Sequence, residues 1–503
     1  MMKQRELSRK QKFILNTLLG VGKQVITVVC GFILPRYMLL YYGSNVNGLI
    51  SSITNFLNFI ALLDMGVGAV VQANLYKPLA ERDDERISRI VKSAARFFRR
   101  LAYIFIGYIV VLSFLLPGTV QGSFSAIYTI SLVVIISIST LAQYLFGITY
   151  QLLLNADQKS YVPLALQIGT ILLNTVFSIV LMKAGASVHV VKSMTALVYV
   201  LRPLGQMLYV KTHYRIDRTI RLEGEPIKQK WNGFSQHLAA VVCQNIDVVV
   251  LTLLSTLENV SIYSVYYNVT FGIEQIIMTA ATGLESLFGN MIAKGEDEQL
   301  SRTFAAVEWI VHTVVTGVFT VAAITIVPFI SVYTRGITDA NYIAPLFGML
   351  LVIAYGSQCL RVPYFRVIKA AGHFKQTQNG AYISALLNIV ITVALVFRFG
   401  LIGAAIGTLV AMLYHTCYFV WYLRRNILNR SCGYFIKYMA TDTAVAALSY
   451  WLTRGMAMGA VTYLAWVVLA VKVAAVVLGV SLVVNLLFYR SGVKGMVKLL
   501  ARR

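Results

Sequence analysis

The sequence predicts an all-α polytopic membrane protein of about 14 transmembrane helices. Three observations lead there. Of the 503 residues, 58% are hydrophobic. Only 13% are charged, against about 25% in soluble domains. The apolar residues also fall in long runs separated by short basic segments. Those segments account for the net charge of +24, because cytoplasmic loops collect Lys and Arg. No nucleic-acid partner is needed to explain it.

A spanning helix takes about 20 mostly apolar residues. In chain order the candidates are 13–40, 46–76, 98–116, 125–154, 161–182, 188–210 and 235–256. They continue with 261–290, 304–330, 342–368, 379–397, 401–423, 438–453 and 461–489. The basic start, residues 1–12, runs directly into an apolar stretch too long for a cleaved signal peptide. It is read as an uncleaved first span. With both termini cytoplasmic, 33 of the 44 Lys and Arg lie at cytoplasmic ends and six at external ends. That asymmetry sets an even number of spans. The segments 77–100 and 424–437 are read as cytoplasmic connections.

An internal repeat organises the chain. "SNVNGLISSITNFL" (44–57) resembles "ENVSIYSVYYNVTF" (258–271), and "ERISR" (85–89) resembles "EQLSR" (298–302). "NADQKS" followed by Asn174 parallels "AAGHFKQ" followed by Asn388. The common offset of about 214 residues contains six spans, so the halves are parallel repeats. The expected domains are a six-helix bundle at 1–210, a basic cytoplasmic linker at 211–234 and a second bundle at 235–430. Residues 431–503 add two further helices and a basic tail. Transporters built this way bind substrate between the halves and alternate access.

Charges inside the spans supply the candidate site. Lys23 ends "GVGK", but a phosphate loop needs GxxxxGK[ST] between strand and helix. Gln24 follows Lys23, Thr17 stands where the first glycine belongs, and no strand precedes them. Lys23 lies 11 residues beyond Lys12, roughly 16 Å along a helix. A charge near the centre of the bilayer core costs at least ~2.5 kcal/mol and needs an aqueous cavity or a partner. Asn16, Gly20, Lys23 and Thr27 share one helical face, and Asn47, Ser51, Asn55 and Asn58 form a similar stripe on the second span. Gln236, Cys243 and Asp247 align on the seventh span; Tyr263, Tyr267, Thr270, Glu274 and Glu285 align on the eighth.

Guanidinium and ammonium groups suit anionic cargo, phosphate above all. The expected substrate-binding residues are therefore Lys23, Arg361, Arg202, Asn16, Asn55 and Arg36. Snorkelling to headgroups is the alternative for Arg202 and Arg366, and outer-end anchoring the alternative for Arg36. Asp247, Glu274 and Asp64 are the candidates for coupling to H+ or Na+; Glu285 and Glu308 could balance the cations. No cofactor or metal is expected. The five cysteines include no CxxC pair and the six histidines no HExxH, so they read as packing residues.

Several segments resemble one family. "YYGSNVNGLISSITNFLNFIALLDMGVGAVV" and "NIDVVVLTLL…VSIYSVYYNV" resemble the second, seventh and eighth spans of Wzx-type polysaccharide exporters. "LRVPYFRVIKAAGHFKQTQNGAYISALLNIVITVALVFRFGLIGAAIGTLVAMLYH" resembles their tenth to twelfth. The likeness covers most of residues 10–430. It implies the multidrug/oligosaccharidyl-lipid/polysaccharide (MOP) exporter fold, two six-helix bundles around a V-shaped central cavity. It implies flipping of a polyprenyl-diphosphate-linked oligosaccharide across the bacterial cytoplasmic membrane for surface polysaccharide assembly. Cavity cations would hold the diphosphate and sugar; a polysaccharide polymerase and other assembly proteins would be partners. Spans 13 and 14 resemble the extra pair of some members, including lipid-II flippases. A drug or cation antiporter of the superfamily and a lipid-II or teichoic-acid precursor flippase are the alternatives. A membrane glycosyltransferase is disfavoured, because segments of about 25 residues outside the spans are too short for a soluble catalytic domain.

Overall fold

The structure is a computed structural model that describes residues 8–59, 65–120, 123–217, 219–220 and 245–490. Every regular element among these residues is helical. Two compact units divide the chain, Met1–Asn245 and Ile246–Arg503.

The first unit begins with α1 (Arg9–Asn58). Its start is fixed by a capping box in which Ser8 and Gln11 satisfy each other's exposed backbone amides. The helix is broken at Gly43, with φ 81° and ψ 176°, inside the gap expected between the first two spans. α2 (Met65–Glu81) and α3 (Asp84–Thr119) follow. Asp83 caps α3, and Asp84 and Glu85 occupy its positive first turn. Residues 77–100 are thus almost wholly helical rather than a loop. Hydropathy marks the apolar stretch from 98, but the cap and acidic first turn start the helix 14 residues earlier. α4 (Ala126–Ala142) runs through a π turn (Gln143–Gly147) into α5 (Ile148–Ala156). α6 (Tyr161–Lys183) and α7 (Val188–His213) complete the unit. α1 packs on α6, α6 on α7, and α7 on α4. Behind α7 the chain is tied to α3: Ser88 Oγ accepts from the Asp217 amide, and Lys92 Nζ donates to the Ile220 carbonyl.

The second unit opens with α8 (Asn245–Leu254). α9 (Leu257–Ala280) and α10 (Thr282–Lys294) form one expected span interrupted at Ala281. After α11 (Asp297–Tyr333), α12 (Pro345–Leu360) and α13 (Val362–Ala370) are likewise one expected span, interrupted at Arg361. α14 (Phe374–Phe399) and α15 (Leu401–Leu423) make the most extensive helix pair in the unit. α16 (Gly433–Thr453) and α17 (Tyr463–Phe488) pack on each other and on α11.

Ten of the described helices are long and apolar enough to cross a membrane, so the chain is a multi-pass integral membrane protein. Their apolar side chains face outward as freely as inward: Leu18, Phe114, Ile127, Leu464 and Leu478 are all more than 60% exposed. In a soluble domain such surface would be a liability; against lipid it is the solvated face. Cys30 and Cys359 pack in the interior as expected, whereas Cys417 is exposed; the four described cysteines form no disulfide.

Candidate functional site

Inside the second unit a carboxylate sits in a shell of hydroxyl and amide oxygens. Asp247, on α8, is buried. Tyr263 Oη on α9 donates to its Oδ2 at 2.7 Å. Thr392 Oγ1 on α14 donates to Oδ1 at 3.4 Å, and Thr408 Oγ1 on α15 donates to Oδ2. Asn388 completes the shell and accepts from Thr392 at 2.9 Å. The local sequence makes this convergence possible. A Cβ on Gly407 would lie 2.1 Å from Thr392 Oγ1 and 2.9 Å from its backbone nitrogen. Only glycine lets α15 close on α14 and carry Thr408 to the carboxylate, in the manner of small-residue contacts between membrane helices.

Among the described residues Asp247 has no cationic side chain in ion-pair contact. A carboxylate held away from water without a partner charge needs a proton or a bound cation. The available donors are hard oxygens, and the three hydroxyls can turn a lone pair inward. Such a shell suits a proton or an alkali cation. No group of three His, Cys, Asp or Glu side chains suited to a metal occurs among the described residues.

Glu274 lies on the same helix as Tyr263, about three turns further on, and is also buried. Gln358 Nε2 donates to its Oε1. Arg361, at the α12–α13 junction, attracts it electrostatically and lies 5.8 Å from the Phe419 ring. Tyr267 and Tyr355, with ring centroids 5.8 Å apart, feel both acids. The structure therefore brings together Asp247, Glu274 and Arg361 through one aromatic cluster.

The first unit holds the other predicted residues. Arg202 Nε donates to Thr170 Oγ1 at 2.6 Å, and its guanidinium lies 4.0 Å from the Tyr199 ring centre. Tyr199 Oη accepts from Asn174, which in turn accepts from Ser178. Arg202 is thus held inside its bundle by side chains rather than extended to headgroups. Asn16 Nδ2 donates to the Gln158 carbonyl, tying α1 to the turn before α6. Asn55 Nδ2 donates to Ser51 of its own helix, an internal contact. Lys23 and Arg36 are half-buried on α1. Lys23 has no ion-pair partner among the described residues. Asp64 lies outside the described residues.

Three expectations need correction. Arg366 does not reach for headgroups: its Nη1 lies 3.4 Å from Glu285, which also pairs with Lys369 at 3.1 Å. Glu285 does not lie on the same helix as Glu274, because the helix is interrupted at Ala281. Glu308 balances no cavity cation, because Arg430 Nη1 lies 2.6 Å from its Oε2 and Tyr364 Oη donates to its Oε1. Sequence reasoning had placed Arg430 in a cytoplasmic connection. The same cluster contains His312 and Asp442, 2.6 Å apart. Its one legible sign was Glu308 and His312 at i and i+4 in an apolar run.

No protein-family model and no curated protein matches the sequence. Solved structures do match its fold. A structure described as lipid II flippase MurJ in an inward closed conformation has a TM-score of 0.69 at 14% identity. That match covers 95% of this chain and 99% of that one. An inward-facing multidrug resistance MATE family transporter of the MOP superfamily has a TM-score of 0.58 at 14% identity, covering 79% of this chain and 94% of that one. An outward-facing form gives 0.52 at 15% identity, with 81% and 96% covered. The chain therefore shares its fold with these membrane-protein structures. One of those structures is described as a member of the MOP superfamily, and what this chain shares with it is the fold.

Proposed function

We propose that this protein is a flippase that moves a polyprenyl-diphosphate-linked oligosaccharide across the bacterial cytoplasmic membrane for surface polysaccharide assembly. The observation that carries the reading is the extent of the structural matches. The flippase match spans 95% of the chain, whereas the inward- and outward-facing multidrug transporter matches span 79% and 81% of it. The basic residues support anionic cargo: Arg202 and Arg361 are set within bundles, and Lys23 is half-buried on the first helix. In this reading Asp247 takes the coupling proton or sodium ion, Glu274 balances Arg361, and both termini are cytoplasmic.

The same structural match favours a second cargo of the same chemistry, a lipid-linked cell-wall precursor. Mass spectrometry of lipids from cells lacking the protein separates the two. Accumulation of a polyprenyl-diphosphate oligosaccharide, reversed by restoring the gene, is the expected result, and its mass names the cargo. A normal lipid pool with intact surface polysaccharide, in cells without a second flippase, would return the protein to the drug exporters.

A further inference from the structure

A pocket of about 290 Å³ opens in the first unit between α4, α5, α6 and α7. That is close to the lower end of ligand pockets, roughly 300–1,000 Å³. Its walls carry Gln143, Gln151, Gln167, Tyr199, Arg202 and Gln206, and no lining residue is acidic. Four glutamines around one arginine are unusual company within a membrane bundle, where each polar group needs a partner.

Two of the walls are built for close approach. The π turn Gln143–Gly147 inserts an extra residue between α4 and α5, a distortion frequent at functional sites. A Cβ on Gly147 would lie 2.4 Å from Gln143 Oε1 and 2.7 Å from Pro203 Cβ. Glycine there lets Gln143 reach Gln151, to which its Nε2 donates at 2.9 Å. On the facing wall, Tyr199, Arg202 and Gln206 follow one another at helical spacing on α7.

One atom lacks a partner that the protein could have supplied. Gln206 is 1% exposed, and its Oε1 accepts no hydrogen bond among the described residues. Leaving a buried acceptor unsatisfied costs about 1–3 kcal/mol. Arg202 spends its Nε on Thr170 and stacks on Tyr199, with no carboxylate in ion-pair contact among the described residues. The chamber thus offers a positive charge, amide donors and acceptors, and an unmet acceptor awaiting a hydroxyl.

We infer that this chamber is a binding site for an anionic, hydroxyl-rich group, a glycosyl phosphate. Arg202 takes the phosphate, which suits its planar fork. Gln151 and Gln206 read the sugar hydroxyls. Thr170, which holds Arg202, also borders an apolar groove of about 530 Å³ lined by Leu166, Leu173 and Leu201. A hydrocarbon chain attached to the phosphate can lie there. The inference deepens the flippase reading and rests on it for the lipid source of the ligand.

The test uses the full chain in nanodiscs, titrated with glucose 1-phosphate and with farnesyl-linked glucosyl diphosphate; glucose and inorganic phosphate serve as controls. At least one glycosyl phosphate should bind about tenfold tighter than either control. Arg202→Gln should weaken it about tenfold or more, and Gln151→Leu and Gln206→Leu each several-fold. Arg202→Lys should retain part of the affinity, and Arg302→Gln, an exposed residue near the start of α11, all of it. Binding of the farnesyl probe alone assigns the site to a lipid headgroup; binding of both assigns it to glycosyl phosphates in general. Absent saturable binding, or binding unchanged by all three chamber substitutions in protein that elutes as a folded species, would overturn the inference. The lipid assay separates the two readings. Binding without lipid accumulation in cells lacking the protein leaves the chamber standing and removes the flippase. Full rescue of accumulation by the chamber variants does the reverse.

Discussion

Asp247 concentrates the most chemistry on the fewest atoms. Three hydroxyls donate to one buried carboxylate, so its size matters less than its charge. Asp247→Asn keeps the size and removes the charge. Transport measured by rescue of lipid accumulation should fall at least about tenfold and lose its response to sodium or to pH, while expression stays normal. Unchanged ion dependence would remove Asp247 from coupling. Gly407→Ala reaches the same shell by a different route. The added methyl must push Thr392 and α15 apart, so the variant should lower the thermal midpoint in detergent by an amount typical of overpacking, about 1–3 kcal/mol. The acidic residues of the second unit were legible in the sequence because a charge in an apolar run has few bland explanations. Thr392, Thr408 and Gln206 were not, because one hydroxyl or amide in a membrane helix is common and only packing decides what it faces.

At the scale of elements, α16 and α17 are fastened to α11 by polar contacts rather than by apolar packing alone. Glu308 meets Arg430, His312 meets Asp442, and Trp309 Nε1 donates to Asn485 at 2.6 Å. Removing one member of a buried ion pair leaves the other uncompensated and costs about 3–5 kcal/mol. Arg430→Gln should therefore destabilise the protein strongly, and Glu308→Gln should recover much of the loss when added to it. Thermal unfolding of the two single variants and the double variant in detergent checks the coupling; strictly additive losses would mean that the pair contributes nothing as a pair. Hydropathy found where apolar stretches lie, and so located most helices. It missed the breaks at Ala281 and Arg361, because a membrane run reads the same whether or not its backbone is continuous. It placed Arg430 in a connection, where it does lie, but gave no sign of its partner, because a residue just beyond a span does not reveal the acid it will meet 122 positions earlier in the chain.

For the whole molecule, the charge asymmetry of 33 to six among loop ends leads to a testable prediction of orientation, with both termini cytoplasmic. In a variant whose five cysteines are replaced, Arg302→Cys should resist a membrane-impermeant thiol reagent in intact cells. Asp339→Cys, beyond the other end of α11, should react. The opposite pattern would invert the orientation. The repeat has a structural counterpart as well. Asn174 and Ser178 stand 214 positions before Asn388 and Thr392, and each pair is joined by a side-chain hydrogen bond. The first bundle sets its pair beside Tyr199 and, through it, Arg202; the second sets its pair beside Asp247. One duplicated amide–hydroxyl motif therefore serves a cation in one half and an anion in the other.

That divergence bears on whether the halves are interchangeable. Two identical copies of the first half would carry two Arg202 residues and no Asp247; two copies of the second would carry the reverse. A homodimer made of either half could not divide the two roles proposed above for Arg202 and Asp247. In one polypeptide each half carries its own sign of charge, so a duplicate of either half cannot stand in for the other.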